Sequence, residues 1–276
     1  MKTLTVANEK GGVGKTTIVA HGGWYFSEPR SPANSDSPSL RVLLIDLDQQ
    51  ANLTHTMREH LSPTPAINLF ASTRRVTPVG PLTVARSTDS LIGVETQSDR
   101  TPFLFHFRDS IRAMHDDYDL CIIDTPPSLT NRTYAALLAA DAVLAPINTG
   151  DYSMHGVEKL LRAIEGVATH YGETPPQFLG LLPSIIDRRS NQERAQLLRL
   201  LTLFGQQTFR GAISKRDAYA RASSACVPVW KMPGGPAKDA GAEIRSVLRL
   251  AAQHMQLLPA IRPSNTMDGE LSGVSS

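Results

Sequence analysis

Short, mostly apolar runs recur along the chain and end at carboxylates, prolines or glycine-rich segments. Continuous apolar runs of this kind are typical of parallel strands that are buried on both faces. Strands are predicted at residues 4–7, 41–46, 118–124, 141–146 and 178–186. Apolar residues spaced along one helical face predict helices at about residues 16–26, 102–115, 153–171, 191–204 and 236–258. This alternation predicts an α/β fold, a doubly wound, mostly parallel sheet flanked by helices.

The remaining segments give weaker or different signals. Residues 90–94 are interpreted as a short strand and residues 208–213 as an edge strand. The Ser/Pro-rich residues 27–40 predict a flexible surface loop, and the polar residues 259–276 predict a disordered tail. Because the alternation continues to the last helix, we expect one domain that spans residues 1–258.

Composition changes this picture mainly through the distribution of charge. Hydrophobic residues make up 41% of the chain, enough for a full core, and the net charge is only +2. Residues 187–249, however, hold twelve Lys and Arg against five Asp and Glu. This local excess of positive charge indicates an anionic partner for the C-terminal third.

Cys121 and Cys226 are the two cysteines, and they stand far apart. Two isolated cysteines exclude a disulfide framework and a cysteine-rich metal centre, and they favour a reducing compartment. No apolar run approaches the roughly 20 residues that a membrane helix needs, and the N-terminus has no basic and apolar leader. We therefore expect a cytoplasmic protein.

A glycine-rich segment follows the first predicted strand and precedes the first predicted helix. Gly11, Gly12 and Gly14 allow backbone N–H groups to close around a phosphate at a helix N-terminus. Lys15 stands where a lysine reaches the β- and γ-phosphates, and the Thr16 hydroxyl stands where it can ligate Mg²⁺. The segment therefore predicts a nucleotide phosphate loop.

Carboxylates stand at the ends of two later predicted strands. Asp46 ends the second strand, Asp48 follows it two residues later, and Asp124 ends the third strand. Ligands bind at the carboxyl ends of strands in open α/β sheets, so we expect these acids to face the phosphate loop. Asp124 ends a strand of the Walker B type and is a candidate for holding Mg²⁺ and its water molecules.

These motifs resemble those of the ParA/MinD family of nucleotide switches. A lysine precedes the glycine pair, so residues 10–17 fit the deviant Walker A pattern K-G-G-x-G-K-[ST]-T. Residues 46–52 are similar to D-x-D-P-Q-x-N, with Gln49 in place of proline, and residues 122–127 are similar to h-h-D-x-P-P. The resemblance implies a P-loop NTPase fold. The ATP-binding residues that it implies are Lys10, Gly11, Gly12, Val13, Gly14, Lys15, Thr16 and Thr17.

The resemblance also implies a mechanism for hydrolysing ATP. Two subunits close over two nucleotides as a sandwich homodimer, in which Lys10 reaches the phosphates bound by the partner. Lys15 contacts the phosphates of its own subunit, and Asp48 positions the attacking water. The implied Mg²⁺ ligands, direct or through water, are Thr16, Asp46 and Asp124. We therefore expect an ATPase with slow intrinsic turnover.

ParA-like proteins bind DNA without sequence preference, and the resemblance implies the same for the basic C-terminal third. It further implies an ATP-bound dimer associated with the nucleoid, a ParB-like adaptor that stimulates hydrolysis, and a role in plasmid or chromosome segregation. Residues 213–229 resemble the stretch that helps to cradle adenine, although Ser214, Arg221 and Ser223 depart from its pattern. The DNA-binding candidates are Arg188, Arg189, Arg194, Lys215, Arg216 and Arg221.

Other functions remain open at this point. A relative that positions a protein cargo on the nucleoid has the same motifs, because its adaptor recognises the cargo. A MinD-like membrane-surface regulator needs a basic amphipathic end, which residues 270–276 do not provide. An iron–sulfur carrier ATPase needs clustered cysteines. A DNA-binding switch that barely hydrolyses ATP is opposed by the presence of Lys10 and Asp48.

Overall fold

The computed structural model describes residues 1–29, 38–96, 99–148, 154–187 and 189–258 of the chain. The predicted flexible loop at residues 27–40 lies mostly outside these ranges, and the predicted tail at residues 259–276 lies wholly outside them.

Seven strands form one sheet, and all the pairs between them are parallel in the described residues. The strands are β1 Lys2–Val6, β2 Val42–Asp46, β3 Leu82–Ala85, β4 Leu120–Asp124, β5 Ala142–Ile147, β6 Gln177–Ile186 and β7 Ile213–Ser214. Their order across the sheet is β3-β2-β4-β1-β5-β6-β7. The central strands are apolar and buried along their whole length, as a sheet covered on both faces requires.

Helices connect these strands and cover both faces of the sheet. The α-helices that the structure describes are α1 Lys15–Ser27, α2 Asn52–Thr56, α3 Asn68–Ala71, α4 Thr101–Ala113, α5 Asn131–Ala139, α6 Met154–His170, α7 Asn191–Phe204, α8 Asp217–Ala225 and α9 Gly235–His254. Short 3-10 helices lie at Arg58–His60, Asp89–Val94, Gly205–Gln207 and Val229–Lys231. The fold is therefore a doubly wound α/β sandwich, as the sequence predicts.

Two apolar cores separate the layers. One core packs α1, α8 and α9 against one face of the sheet. The other packs α3 to α7 against the opposite face. Helix α1 lies unusually close to the sheet, because a Cβ on Gly22 or Gly23 would come within 2.8 or 2.7 Å of side chains of β4 and β2. These glycines place the helix after the glycine-rich loop directly over the strands that carry the acids.

One predicted strand is wrong, and one strand was missed. Residues 90–94 lie in a 3-10 helix, Asp89–Val94, instead of the predicted strand. The edge strand is β3, whose four residues are all buried. It follows a segment broken by prolines, and four residues are too few to show a periodicity.

The predicted edge strand at residues 208–213 is shorter than expected. Thr208 makes only an isolated bridge with Leu181, and regular pairing is confined to Ile213–Ser214. Between them the Gly211 N–H donates to the Phe209 carbonyl at 2.8 Å, which turns the chain and interrupts the pairing.

The sheet order brings the three motifs together. Strands β2, β4 and β1 are neighbours, and Asp124 is the register partner of both Asp46 and Val6. Because the strands are parallel, their carboxyl ends share one edge of the sheet. The glycine-rich loop and both acidic loops therefore meet there, as expected for an open α/β sheet.

Candidate functional site

The glycine-rich loop, residues 9–17, adopts a backbone that its glycines make possible. Gly12 has φ 72° and Gly14 has φ 91°, both in the left-handed region. A Cβ on Gly14 would also lie 3.0 Å from the Ser184 Oγ. Gly14, the residue before α1, has no side chain that could accept a hydrogen bond from the first turn of the helix. The N–H groups of that turn therefore remain available to an anion.

Lys15 lies across this loop and is only 7% exposed. Its Nζ donates to the carbonyls of Asn8 at 3.0 Å and Lys10 at 2.8 Å. Burial lowers the pKa of Lys15, while the carboxylates of Asp124 and Asp48 act in the opposite direction. The ammonium is thus held over the loop by two carbonyl acceptors, a position from which it can bind phosphate oxygens.

Asp124 lies at the end of β4 and is fully buried. Its Oδ2 accepts a hydrogen bond from the Thr16 Oγ1 at 2.7 Å. Its Oδ1 is buried and has no hydrogen-bond partner in the described part of the chain. Burial, followed by the neighbouring Asp46, raises the pKa of Asp124 well above its usual range. A buried carboxylate oxygen without a partner beside a threonine hydroxyl fits a site for a hydrated Mg²⁺.

Asp46 uses both carboxylate oxygens to shape the loop that follows β2. Its Oδ2 accepts from the N–H and the hydroxyl of Thr54, at 2.8 and 2.7 Å, and its Oδ1 accepts from the Asp48 N–H at 3.1 Å. Burial raises the pKa of Asp46 to about 6. The half-buried Asp48 accepts a hydrogen bond from the Gln50 N–H at 3.0 Å. The geometry therefore gives Asp46 a loop-ordering role in addition to its predicted contact with the metal's water shell.

The chain does not build a complete metal site by itself. Across the described ranges, no three His, Cys, Asp or Glu side chains are grouped so that they could hold a metal ion. Mg²⁺ commonly takes only one or two protein ligands and completes its shell with water and phosphate oxygens. The Thr16 and Asp124 pair fits that pattern.

A cavity of about 300 Å³ adjoins the glycine-rich loop on the side of β6 and α8. Ser184 and Tyr219 line it together with Thr17 and Ile18 of α1. The Ser184 Oγ is buried without a hydrogen-bond partner among the described residues. A mostly apolar cavity with an available hydroxyl is suited to a planar base.

The basic candidates of the C-terminal third separate in space. Arg189, Lys215, Arg216 and Arg221 line one cleft of about 820 Å³ near the N-terminus of α8. Arg216 also lies 3.6 Å from the Asp239 carboxylate. The structure thus assembles cations from two distant segments into one surface.

The remaining basic candidates are Arg194 and Arg188. Arg194 is exposed on α7 and is not among the residues that line the cleft near α8. Arg188 lies outside the described residues.

Sequence reasoning missed Arg132, which contacts the loop that carries Asp48, and Glu95, which pairs with Arg132. Arg132 is only 6% exposed, and it bonds Glu95 and the Leu47 carbonyl. The available signal was a single charged residue between Asp124 and Asp141, soon after the two prolines. Its partner is 37 residues away, and nothing in the sequence connects the two.

Comparisons with known proteins agree with this geometry. A family model described as an AAA domain matches residues 1–174. Protein IncC of Escherichia coli is 33% identical over 270 residues, which cover 93% of this chain and 71% of IncC. The chromosome-partitioning ATPase Soj of Thermus thermophilus is 30% identical over 227 residues, covering 81% of this chain and 85% of Soj.

A solved structure shows the same fold with a nucleotide bound. It is the cobyrinic acid a,c-diamide synthase of Mycobacterium smegmatis with an ATP analogue and magnesium. The TM-score is 0.66 at 26% identity, over 93% of this chain and 96% of that one.

Proposed function

The chain belongs to the ParA/MinD family of P-loop ATPases, and on this premise we propose that it is a partition ATPase whose ATP-bound homodimer binds double-stranded DNA. The cofactors are ATP and Mg²⁺. The proposal depends above all on the buried carboxylate of Asp124. One of its oxygens accepts from the Thr16 hydroxyl, and the other has no hydrogen-bond partner among the described residues. In the proposed cycle a ParB-like adaptor stimulates hydrolysis and releases the dimer, so that plasmid or chromosome copies segregate.

Each residue of the site has a separate task in this proposal. When bound, Mg²⁺ offsets the charge that develops on the phosphoryl oxygens. Lys15 and the N–H groups at the start of α1 bind the phosphates, while Thr16 and Asp124 hold the metal and its water shell. Asp48 orients the attacking water. We expect slow turnover, because carboxylates are weak bases and the rate then depends mainly on how well the water is positioned.

Lys10 completes the site from the other subunit. A cation that arrives in trans stabilises the transition state only once the dimer has formed, as an arginine finger does. Lys10 precedes the glycines, and its backbone N–H is fixed by the Asn8 side chain at 3.0 Å. This contact fixes the backbone that carries the Lys10 side chain, which in the proposed dimer reaches the phosphates bound by the partner.

The cavity beside the glycine-rich loop would connect ATP binding to the proposed DNA surface. We assign adenine to the 300 Å³ cavity beside Thr17 and Ser184. Lys215 and Arg216 line both this cavity and the 820 Å³ basic cleft. A base in the first cavity therefore contacts the same segment that presents cations to phosphates in the second.

The test is binding to random-sequence duplex DNA with ATP, ADP or no nucleotide, at two salt concentrations. We expect binding with ATP alone, and we expect added salt to weaken it steeply because phosphate contacts release counterions. Arg189→Gln is expected to weaken binding equally on all sequences and to lower the salt slope by about 1. Arg162→Gln is the matched control, because Arg162 is an exposed arginine on α6, in the opposite helical layer.

Two results would contradict the DNA proposal. Binding that ignores the nucleotide would refute the ATP-dependent switch. An equal effect of both arginine variants would refute the assignment of the cleft.

The membrane-surface alternative is tested in parallel by sedimentation with anionic liposomes. No described helix has the length and hydropathy to span a bilayer. Sedimentation with liposomes under conditions where DNA is ignored would favour the MinD-like function.

A further inference from the structure

The side chain of Arg132 extends from the first turn of α5 toward the loop that follows β2. It is 7% exposed. Its Nε donates to the Glu95 Oε1 at 2.7 Å, and its Nη1 donates to the Leu47 carbonyl at 2.9 Å. One guanidinium thus bonds a carboxylate and a backbone carbonyl at the same time, which its planar fork of donors allows.

The carbonyl that Arg132 holds belongs to the peptide group between Leu47 and Asp48. The N–H of the same peptide group donates to the Asp46 Oδ1 at 3.1 Å. The N–H of Leu47 itself donates to the carbonyl of Asp124 at 3.0 Å. Three hydrogen bonds therefore fix the backbone that presents the Asp48 side chain. Among these three contacts, only the one from Arg132 comes from a basic side chain.

Glu95 in turn fixes the guanidinium. Its carboxylate also accepts the backbone N–H of Asn131 at 2.8 Å, at the first residue of α5. The Asn131 side chain donates to the Val94 carbonyl at 3.0 Å. Burial acts against the charge of Glu95, but the bonds from Arg132 and the Asn131 amide lower its pKa below the usual range. The result is a rigid connection from the 3-10 helix Asp89–Val94 through α5 to the loop of Asp48.

We propose that Arg132 is a positioning residue for hydrolysis, which orients Asp48 by holding the Leu47 carbonyl. The inference rests on the proposed function, because it assumes that Asp48 orients the attacking water. A buried ion pair is weak grounds for stability, since apolar side chains of similar volume often serve equally well. The bond to the loop carbonyl is the feature that an apolar residue could not replace.

The position of Arg132 also links Asp48 to the segment that follows Asp124. Helix α5 begins soon after Asp124 and the two prolines, so a displacement of that segment would be transmitted through Arg132 to Asp48. Arg132 therefore joins the two acidic loops, of which one holds the metal's water shell and the other holds the attacking water.

The first experiment compares Arg132→Met with Arg108→Met. Arg108 is the matched control, because it is 12% exposed and pairs with Glu173 without contacting either acidic loop. We expect Arg132→Met to lower kcat by about 10- to 100-fold, as a small displacement of a catalytic group can do. The KM for ATP should stay within about threefold, because Lys15 and Thr16 keep their contacts. Arg108→Met should lower the melting temperature and leave kcat unchanged.

The second experiment tests whether the effect passes through Asp48. Asp48→Asn alone is expected to lower kcat, and adding Arg132→Met should lower it little further, because residues that act as one unit are not additive. Amide hydrogen exchange without nucleotide supplies a readout other than activity. The amides of Asp48 and Gln50 should exchange faster in Arg132→Met than in wild type, and at the wild-type rate in Arg108→Met.

Arg132→Lys separates positioning from stability and serves as the test variant if Arg132→Met does not fold. Lysine keeps the charge for Glu95 but loses the fork that also reaches the Leu47 carbonyl. We expect the melting temperature of Arg132→Lys to be higher than that of Arg132→Met, while kcat stays low in both variants.

The outcomes are distinguishable from a failure of the proposed function. Normal kcat and normal exchange in Arg132→Met would overturn the inference, as would fully additive losses in the double variant together with unchanged exchange. Normal turnover by Asp48→Asn would instead refute the role of Asp48. Faster exchange at Asp48 in Arg132→Met would then still support the positioning of the loop.

Discussion

His21 offers a quantitative test of how α1 is held to the C-terminal part of the chain. It is fully buried. Its Nδ1 lies 2.8 Å from the Thr17 carbonyl, and its Nε2 accepts the Val229 N–H at 3.2 Å. A carbonyl only accepts, so Nδ1 carries the proton and the ring is neutral. Trp24 and Trp230 pack against the ring edge to face. A second proton on Nε2 would oppose the Val229 N–H.

The size of the effect follows from the pKa. Burial lowers the pKa of His21 from 6.5 to about 4, while the bond to the Thr17 carbonyl acts in the opposite direction. Between pH 6.5 and about pH 4, His21 therefore binds a proton in the unfolded chain but not in the folded chain. The free energy of unfolding should fall by about 1.4 kcal/mol per pH unit in this window, or about 3 kcal/mol in total. The stability that neutral His21 contributes is fully present above pH 6.5.

Urea unfolding of wild type and His21→Gln between pH 5 and 8 isolates this contribution. The wild-type curve alone mixes several effects, because the pKa values of Asp46 and Asp124 are also raised and their protonation stabilises the folded state as the pH falls. The difference between the two proteins cancels the effects of both carboxyl groups. We expect the stability advantage of wild type to shrink by about 2 kcal/mol between pH 6.5 and 5. An advantage that stays constant over this range would refute the reasoning.

Three further predictions concern the nucleotide site. Lys10→Ala should abolish hydrolysis while ATP still binds, measured by phosphate release and by equilibrium binding; normal turnover would exclude a lysine acting in trans. Gly14→Ala should weaken ATP binding at least tenfold, because a left-handed alanine costs about 1–2 kcal/mol and its Cβ would meet the Ser184 Oγ at 3.0 Å. Asp124→Asn should raise the melting temperature of the nucleotide-free protein, because it removes a buried charge next to Asp46, and should eliminate Mg²⁺-dependent turnover. A lower melting temperature with turnover retained would contradict this account.

The sequence predicted the regular part of the fold because strong local signals and tertiary burial agree there. The apolar run before Asp124 is buried on both faces, as its composition indicates. Strand β3 escaped detection because it has four residues after a proline, and its burial comes from neighbours distant in sequence. Residues 90–94 are apolar enough for a strand, but Leu91 and Val94 are buried from a 3-10 helix instead.

The candidate site likewise has a part that the sequence predicts and a part that only the structure reveals. Lys15, Thr16 and Asp124 belong to motifs whose spacing places them after strands, and the structure brings them together. Arg132 and Ser184 have no motif, because their significance arises only from contacts across the sheet edge. The basic cleft is an intermediate case, since the charge excess was visible but the grouping of Arg189 with Arg221 was not.

The two edges of the sheet restrict how copies of this protein can associate. At one edge, the Ser62 N–H donates to the Val84 carbonyl at 2.8 Å, so a neighbouring loop already occupies β3. At the other edge, β7 has two residues, and the Ser214 N–H donates to the Glu243 carboxylate. Edge strands that are short or covered offer no template for pairing with another chain. Neither edge therefore favours growth into a continuous intermolecular sheet, and the proposed ATP-bound dimer would have to form through loops and helices, whose contacts are easier to reverse than a shared sheet.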